Sequence, residues 1–512
     1  MPNASGSTTS TWMETADLPT FGPLDGDARV DICVVGAGIA GLTVAYELSR
    51  RGKSVLVLDD NPIGGGESGR TTGHLSDMLD EGFHLLEFLQ GAEGARLAFE
   101  SHRAAINRIE EICRDEEIDC DFDRVDGYLF AAEGQSPDDL EKELEACHRV
   151  GKSDVSPVDR APMPGVDTGK ALKHPGQGQF HVLKYLAGLA AAIGRRGCRI
   201  CTGTRVSKIE GGSPCRVETD GGPTVEAGSV VVATNSPISD WLAIHTKQYP
   251  YRTYVVSLEV PAGAIPTAQF SDTADPYHYA RIHPVRNREG KADHDLLIVG
   301  GEDHRVGEAD DFDARFGRLE AWARERFPEA GEVEHRWSGQ VLEPADGLAF
   351  IGEDPSGKEN VFISTGDSGH GLTHGTIAGM LIPDLILGVD NPWAKLYDPS
   401  RKSLRSLRTF AGENLNVAAQ YADWLTGGEV ASANEIAPGS GAVVREGLKK
   451  VAVYRDESGT LHRRSAVCTH LQGIVRWNDL EKSWDCPCHG ARYDPKGRVI
   501  NGPAPMGLAE AE

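Results

Sequence analysis

The chain has no long hydrophobic run. The apolar stretch at 377–387 contains Pro383 and Asp384 and is too short to cross a bilayer, so no membrane span is expected. No charged start followed by an apolar segment opens the sequence, so no secretory signal is expected. Basic residues are scarce: 52 Lys and Arg stand against 77 Asp and Glu, a net charge of −25. That balance favours solubility and argues against a nucleic-acid partner, which wants a basic face. Ten cysteines scattered over 512 residues make no disulfide framework, and the expected compartment is cytoplasmic. Internal repeats and long low-complexity segments are absent, and a single Gly-x-Gly-x-x-Gly directly follows an apolar strand-like run. Apolar content of 39% suits an ordinary soluble core, and the length suits about three domains.

That glycine motif sits in full context. Val30-Asp31-Ile32-Cys33-Val34-Val35 reads as a strand of the buried parallel type and runs into Gly36-Ala37-Gly38-Ile39-Ala40-Gly41. A helix follows to about Arg51, closed by Gly52, and a second strand ends at Asp59. The arrangement predicts dinucleotide binding. The first glycine makes the tight turn, the second admits the pyrophosphate, and the third lets helix and strand pack. The helix start offers unpaired N–H groups to phosphate. Asp59, 23 residues after Gly36, is placed for ribose hydroxyls.

Cys468-Thr469-His470 is followed, fifteen residues later, by Cys486-Pro487-Cys488-His489. One cysteine and one histidine per loop suit a Rieske [2Fe–2S] centre, with Cys468 and Cys486 on one iron and His470 and His489 on the other. A Cys₂His₂ zinc site uses the same ligand types and is the rival reading, although zinc fingers usually pair the cysteines first. Gly502-Pro503-Ala504-Pro505 completes a resemblance to the Rieske family, where a proline loop covers the cluster. In respiratory members the counterpart of Cys488 is disulfide-bonded to a cysteine of the first loop. Here that position is Gly473, so the bond is not expected. High-potential members carry a serine where Ala491 stands. The second hydroxyl donor to cluster sulfur, Tyr493, is present. The resemblance thus implies a low to middling potential.

A second glycine-rich run, Gly64-Gly65-Gly66-Glu67-Ser68-Gly69-Arg70-Thr71-Thr72-Gly73-His74, comes soon after Asp59. With the first motif it resembles flavoproteins of the D-amino-acid-oxidase family, such as glycine and sarcosine oxidases, so the implied cofactor is FAD rather than NAD. The resemblance puts Ser68, Arg70, Thr71, Thr72 and His74 along the ribityl chain and ring, His74 either lining the flavin or tethering it. It puts Val206 at the adenine and Thr234 at the closing strand. The segment 360–373 resembles the last flavin motif and brings in Gly366, Ser368, Gly369, His370, Gly371, Leu372 and Thr373. A helix starting near Leu372 would aim its N-terminus at the flavin C2 carbonyl and stabilise negative charge on the reduced ring.

From Tyr249 to about Arg305 apolar residues alternate, which predicts antiparallel strands. Tyr279, Arg281 and His278 in this stretch are the candidate catalytic residues. An Arg/Tyr pair can fork a carboxylate, and a His can serve as a base. The expected fold class is α/β plus β: a Rossmann-type FAD-binding domain with an inserted antiparallel β-sheet substrate domain, then a small all-β Rieske domain. The expected boundaries are an extended leader at 1–28, anchored by Trp12, and an oxidoreductase unit at 29–390. Within that unit FAD binding falls at about 29–80, 165–235 and 335–390, and the substrate domain at about 81–164 and 236–334. A linker with a helix follows at 391–430, and the Rieske domain at 431–512. The implied function is FAD-dependent oxidation of a C–N bond in a small-molecule amine or amino acid, with electrons passing to the cluster and on to an unidentified acceptor. A reductase serving a partner protein and a redox sensor are the alternatives.

Overall fold

The apolar run before the glycine turn forms the strand Ala28–Val35, whose last four residues are buried. The structure, a computed structural model, describes residues 5–239, 244–286, 292–402, 421–424 and 426–511. The strand lies inside a sheet ordered Phe350–Glu353, Val361–Thr365, Thr224–Val232, Ala28–Val35, Val55–Leu58, Arg199–Cys201. All neighbours on this path are parallel except the first pair. Ile32, Val34, Val55 and Val57 face a core built with the helices Ile39–Arg50, Val182–Arg195 and Gly371–Leu387. Cys33, Val35, Leu56 and Leu58 face the hairpin Val206–Glu210/Cys215–Thr219. Burial of both faces is why the sequence shows a continuous apolar run instead of alternation. The segment 199–210 forms two strands, Arg199–Cys201 at the end of this order and Val206–Glu210, which pairs with Cys215–Thr219 off the main path. Gly375 and Gly379 let the last helix touch the first: a Cβ on Gly375 would sit 2.7 Å from Ile39 Cγ2. Both helix starts therefore meet at the carboxyl ends of the strands, where open α/β sheets bind ligands.

A second sheet runs Val333–Pro344, Gln248–Pro261, Ala292–Arg305, His278–Arg286, Ala268–Asp272, Asp123–Phe130, Ala171–Gln179, His74–Leu75. It is antiparallel apart from the parallel pair Ala268–Asp272 and Asp123–Phe130. The alternation seen in the sequence sorts its residues between two cores. Tyr254, Val256, Leu258, Leu297 and Val299 pack with Phe316 and Leu319 of the helix Phe312–Arg326. Val255, Leu296, Ile298 and Trp337 enter the core of the first sheet. The second sheet is thus covered on both faces.

The last part of the chain holds two small antiparallel sheets. One is Ser440–Glu446, Lys449–Arg455, Leu461–Ser465; the other is Arg476–Asn478, Ser483–Asp485, Arg492–Tyr493, Val499–Asn501. The leader is extended apart from one turn, Thr11–Thr15. Its Trp12 is fully buried and donates Nε1–H to Thr71 O at 2.6 Å. Residues 403–420 and 425 of the linker at 391–430, in which a helix is expected, lie outside the described residues. Among those described, no helix is long and apolar enough to cross a membrane.

Candidate redox sites and their junction

The glycine turn is shaped by close approach. Gly36 has φ +112°, and a Cβ there would run into Ala233 O; one on Gly41 would run into Gly36 O. A Cβ on Gly38 would lie 2.9 Å from Ser68 Oγ. Ile39 N donates to Ser68 Oγ at 3.0 Å and Ala37 N donates to Asp59 Oδ2 at 2.6 Å. Burial, with the neighbouring Asp60 charge, pushes the Asp59 carboxyl up to about 7. Gly36, Gly38, Ile39, Ala40, Asp59, Ser68, Arg70, Thr71, Thr72, His74, Val206 and Thr234 share the wall of one cavity of about 860 Å³. That size is ordinary for a ligand site. Gly41 is not on the wall; its role is the helix–strand contact. A side chain added at Gly38 would enter the cradle, so the turn fits a group that approaches the backbone closely, as a pyrophosphate does.

The start of the helix Gly371–Leu387 reaches the same cavity through Gly369, His370, Gly371, Leu372 and Thr373. Gly366 and Ser368 are not on the wall but shape the loop behind it, with φ +71° and +45°. Ser368 Oγ lies 2.8 Å from both Glu81 Oε1 and Glu343 Oε2. His370 Nε2 lies 3.1 Å from Asp80 Oδ1, and Tyr277 Oη donates to Asp80 Oδ2 at 2.9 Å. Burial opposes charge on both members of the His370–Asp80 pair. Their mutual attraction outweighs it, raising the imidazole and lowering the carboxyl. Burial alone dominates at Glu81, Asp303 and Asp367, each pushed up to about 7.

The three catalytic candidates part company. Tyr279 is on the cavity wall, its ring 5.6 Å from Tyr277 and 5.3 Å from His74. Arg281 shares that face but lies two residues further along the strand, and is not on the wall. Its fully buried guanidinium donates to Gly73 O at 2.5 Å, Phe180 O at 3.2 Å and His283 Nδ1 at 3.0 Å. His278 points the other way, to Asp272 at 3.1 Å and Glu302 at 3.4 Å, with its ring stacked on Trp322. The expected Arg/Tyr fork and His base are therefore not assembled at the cavity. Asp80, Glu81, Thr253 and Gln340 are on the wall instead, and no local motif marks them.

At the other site Cys468, Cys486, His470 and His489 are all buried. The loops are pinned by Cys468 N to Gly473 O and Cys486 N to Ala491 O, both 2.8 Å. The histidine rings lie 5.0 Å apart. His489 Nδ1 is buried with no partner among the described residues, an orphan that a metal would satisfy. No three His, Cys or carboxylate side chains among the described residues converge on one ion position. Tyr493 Oη donates to Cys468 Sγ at 3.1 Å. All cysteines are free, and Cys488 Sγ lies 2.6 Å from where a Gly473 Cβ would be. His245, contributed by the flavin part, has its ring 5.0 Å from His470 and 6.4 Å from His489.

The two sites are bolted together by buried charge. Arg70 Nη1 donates to Glu481 Oε1 at 3.1 Å and to Ser338 O at 2.7 Å. Glu481 also accepts from Ser338 Oγ at 2.5 Å and from Thr8 N at 3.1 Å. Arg252 stands 4.0 Å from Glu481 and 3.7 Å from Asp485, which pairs with Arg492 at 3.1 Å. Burial works against the Glu481 charge, but Arg70, Arg252 and Arg492 hold its carboxyl down at about 2. Arg70, expected at the flavin, thus spends its guanidinium on the Rieske side. Gln340 Nε2 donates to Gly490 O, beside His489, at 3.1 Å.

Residues 31–385 match the family model described as FAD dependent oxidoreductase, and residues 427–512 match that of the Rieske [2Fe-2S] domain. The Bacillus subtilis (strain 168) protein YhfW, named for a Rieske 2Fe-2S iron-sulfur centre, is 30% identical over 96% of this chain and 95% of its own length. Gamma-glutamylputrescine oxidoreductase of Escherichia coli (strain K12) is 28% identical over 72% of this chain and 86% of its own length. Glycine oxidase from Geobacillus kaustophilus shares the fold, with a TM-score of 0.59, 22% identity, and coverage of 73% of this chain and 99% of that one. The chain is an oxidoreductase that binds FAD and a [2Fe–2S] cluster. It belongs to the FAD dependent oxidoreductase family and carries a Rieske domain on the same polypeptide.

Proposed function

We propose that this enzyme oxidises a C–N bond of an amine or amino acid and passes the electrons, through its cluster, to an external one-electron acceptor. When bound, FAD would supply an acceptor for the hydride on the carbon next to nitrogen, leaving an iminium, and the cluster would supply a carrier that takes electrons singly. The observation that carries this reading is shared wall: Val499, Ile500, Asn501 and Gly502 of the Rieske domain line the same cavity as Gly36 and Ser68. Gln340 adds a link from that wall to the residue after His489. Gamma-glutamylputrescine oxidoreductase, by its name, acts on an amine, which supports the substrate class.

In this reading the glycine turn and Asp59 hold the FAD pyrophosphate and ribose. Val206 and Thr234 border the adenosine, and residues 68–74 border the ring. The start of the helix Gly371–Leu387 supplies positive dipole to the reduced ring. Cys468, Cys486, His470 and His489 hold the iron. An anaerobic amine titration, followed by flavin absorbance and by EPR of the cluster, tests the reading. Substrate should bleach the flavin and bring up the reduced-cluster signal together. Bleaching by NADH but not by amines would overturn it.

A further inference from the structure

The substrate end of the cavity has an unequal inventory of charge. Among the described residues on its wall there is no lysine, and the two arginines are occupied. Arg70 is bound to Glu481, Ser338 O and Thr8. Arg205 pairs with Asp60 at 3.2 Å, beside the adenosine-binding acid. Arg281, on the tyrosine-bearing strand, is turned into the core. Among the described residues a carboxylate on the substrate would meet no free lysine or arginine, and the His370 imidazole is already paired with Asp80.

The same wall offers much to a cation. Asp80, Glu81 and Asp303 line it beside the stacked rings of Tyr277 and Tyr279. Asp303 Oδ1 and Glu81 Oε2 are buried and lack a hydrogen-bond partner. Thr253, 9% exposed and on the wall, also has its Oγ1 unpartnered. Unsatisfied buried acceptors are costly unless something fills them. An ammonium fits: it donates to several oxygens at once and is attracted to aromatic faces.

We propose that the substrate is a cationic amine without a carboxylate on the reacting carbon, of the alkyl diamine or polyamine class, whose distal ammonium is held by Asp303 and Thr253 against the Tyr277/Tyr279 pair. The inference rests on the amine-oxidation reading and narrows it: an α-amino acid is a poor fit.

The test uses holoenzyme under anaerobic conditions and matched pairs differing only in the carboxylate, putrescine against ornithine and cadaverine against lysine. The diamine should bleach the flavin at a concentration at least about tenfold lower than its amino acid, the worth of one charge-assisted contact. Equal or better bleaching by the amino acids overturns the inference and leaves C–N oxidation standing. Failure of both classes, with dithionite still bleaching the flavin, overturns the C–N reading itself. A second readout avoids turnover. 2,5-Diamino-2,5-dimethylhexane has no C–H next to nitrogen to oxidise but keeps its ammonium N–H donors, and it should raise the unfolding temperature of the wild type but not of Asp303→Asn. No shift in the wild type, or an equal shift in the variant, counts against the assigned residues.

Discussion

Replacing Glu481 by Gln removes one negative charge from the junction and leaves its shape. The carboxylate is fully buried and faces Arg70, also buried, at 3.1 Å, with Arg252 at 4.0 Å. The drop of its carboxyl from 4.5 to about 2 amounts to about 3 kcal/mol of stabilisation at neutral pH. Removing one partner of a buried pair costs about 3–5 kcal/mol, because the remaining charges stay desolvated and unmatched. The two figures agree, so Glu481→Gln should destabilise the docked Rieske domain by about 3 kcal/mol. The pH dependence has a definite sign. A depressed carboxyl contributes fully above about 4.5, and its contribution is lost as pH falls toward 2. The wild type should therefore weaken over that window, and the variant should show a shallower dependence. Urea unfolding of holoprotein, followed by the visible circular dichroism of the cluster at pH 7 and at pH 4, measures both. In the same variant substrate should still bleach the flavin, while cluster reduction lags. A loss below about 1 kcal/mol at pH 7, the level of an exposed pair, would refute the argument.

Three further outcomes are expected. Affinity of apoprotein for FAD should weaken as pH falls below 7, by up to about tenfold per pH unit, because a protonated Asp59 cannot accept from ribose hydroxyls as a carboxylate does; Asp59→Asn should bind more weakly and without that slope, as equilibrium dialysis would read. Tyr493→Phe removes the hydroxyl donated to Cys468 Sγ, and should lower the cluster midpoint in an EPR redox titration by about 40–90 mV, the one-electron equivalent of about 1–2 kcal/mol. Gly473→Cys places a Cβ 2.6 Å from Cys488 Sγ, and mass spectrometry under oxidising conditions should find the 473–488 disulfide that this chain otherwise lacks.

What the sequence reveals depends on the range of each interaction. The glycine turn, the loop before the helix Gly371–Leu387 and the two Cys/His loops are each encoded within a few residues, so each can be read as a motif. Sheet alternation was legible too, but not that both faces would be covered, since the covering helix Phe312–Arg326 and the first sheet come from elsewhere in the chain. Arg281 shows the same limit at one residue. Periodicity of two assigns it a face with Tyr279. It cannot tell that two residues of strand, about 7 Å, carry the side chain past the cavity and under Gly73 O. Asp80, Glu81, Asp303 and Glu481 have no local signature. Their partners His370, Ser368 and Arg70 are hundreds of positions away or in another domain.

The junction also joins the two extremes of the described chain. Thr8 N reaches Glu481 across 473 residues, and Arg492 reaches Ser5 O across 487. On a ribosome adding roughly 5–20 residues per second, the early strand waits about 25–95 s for its counterpart to emerge. Trp12 can seat against Thr71 long before that, so the flavin unit can mature alone. Closure onto the iron-bearing module is then a late event, and a nascent polypeptide that has not yet exposed Glu481 carries the two modules still apart.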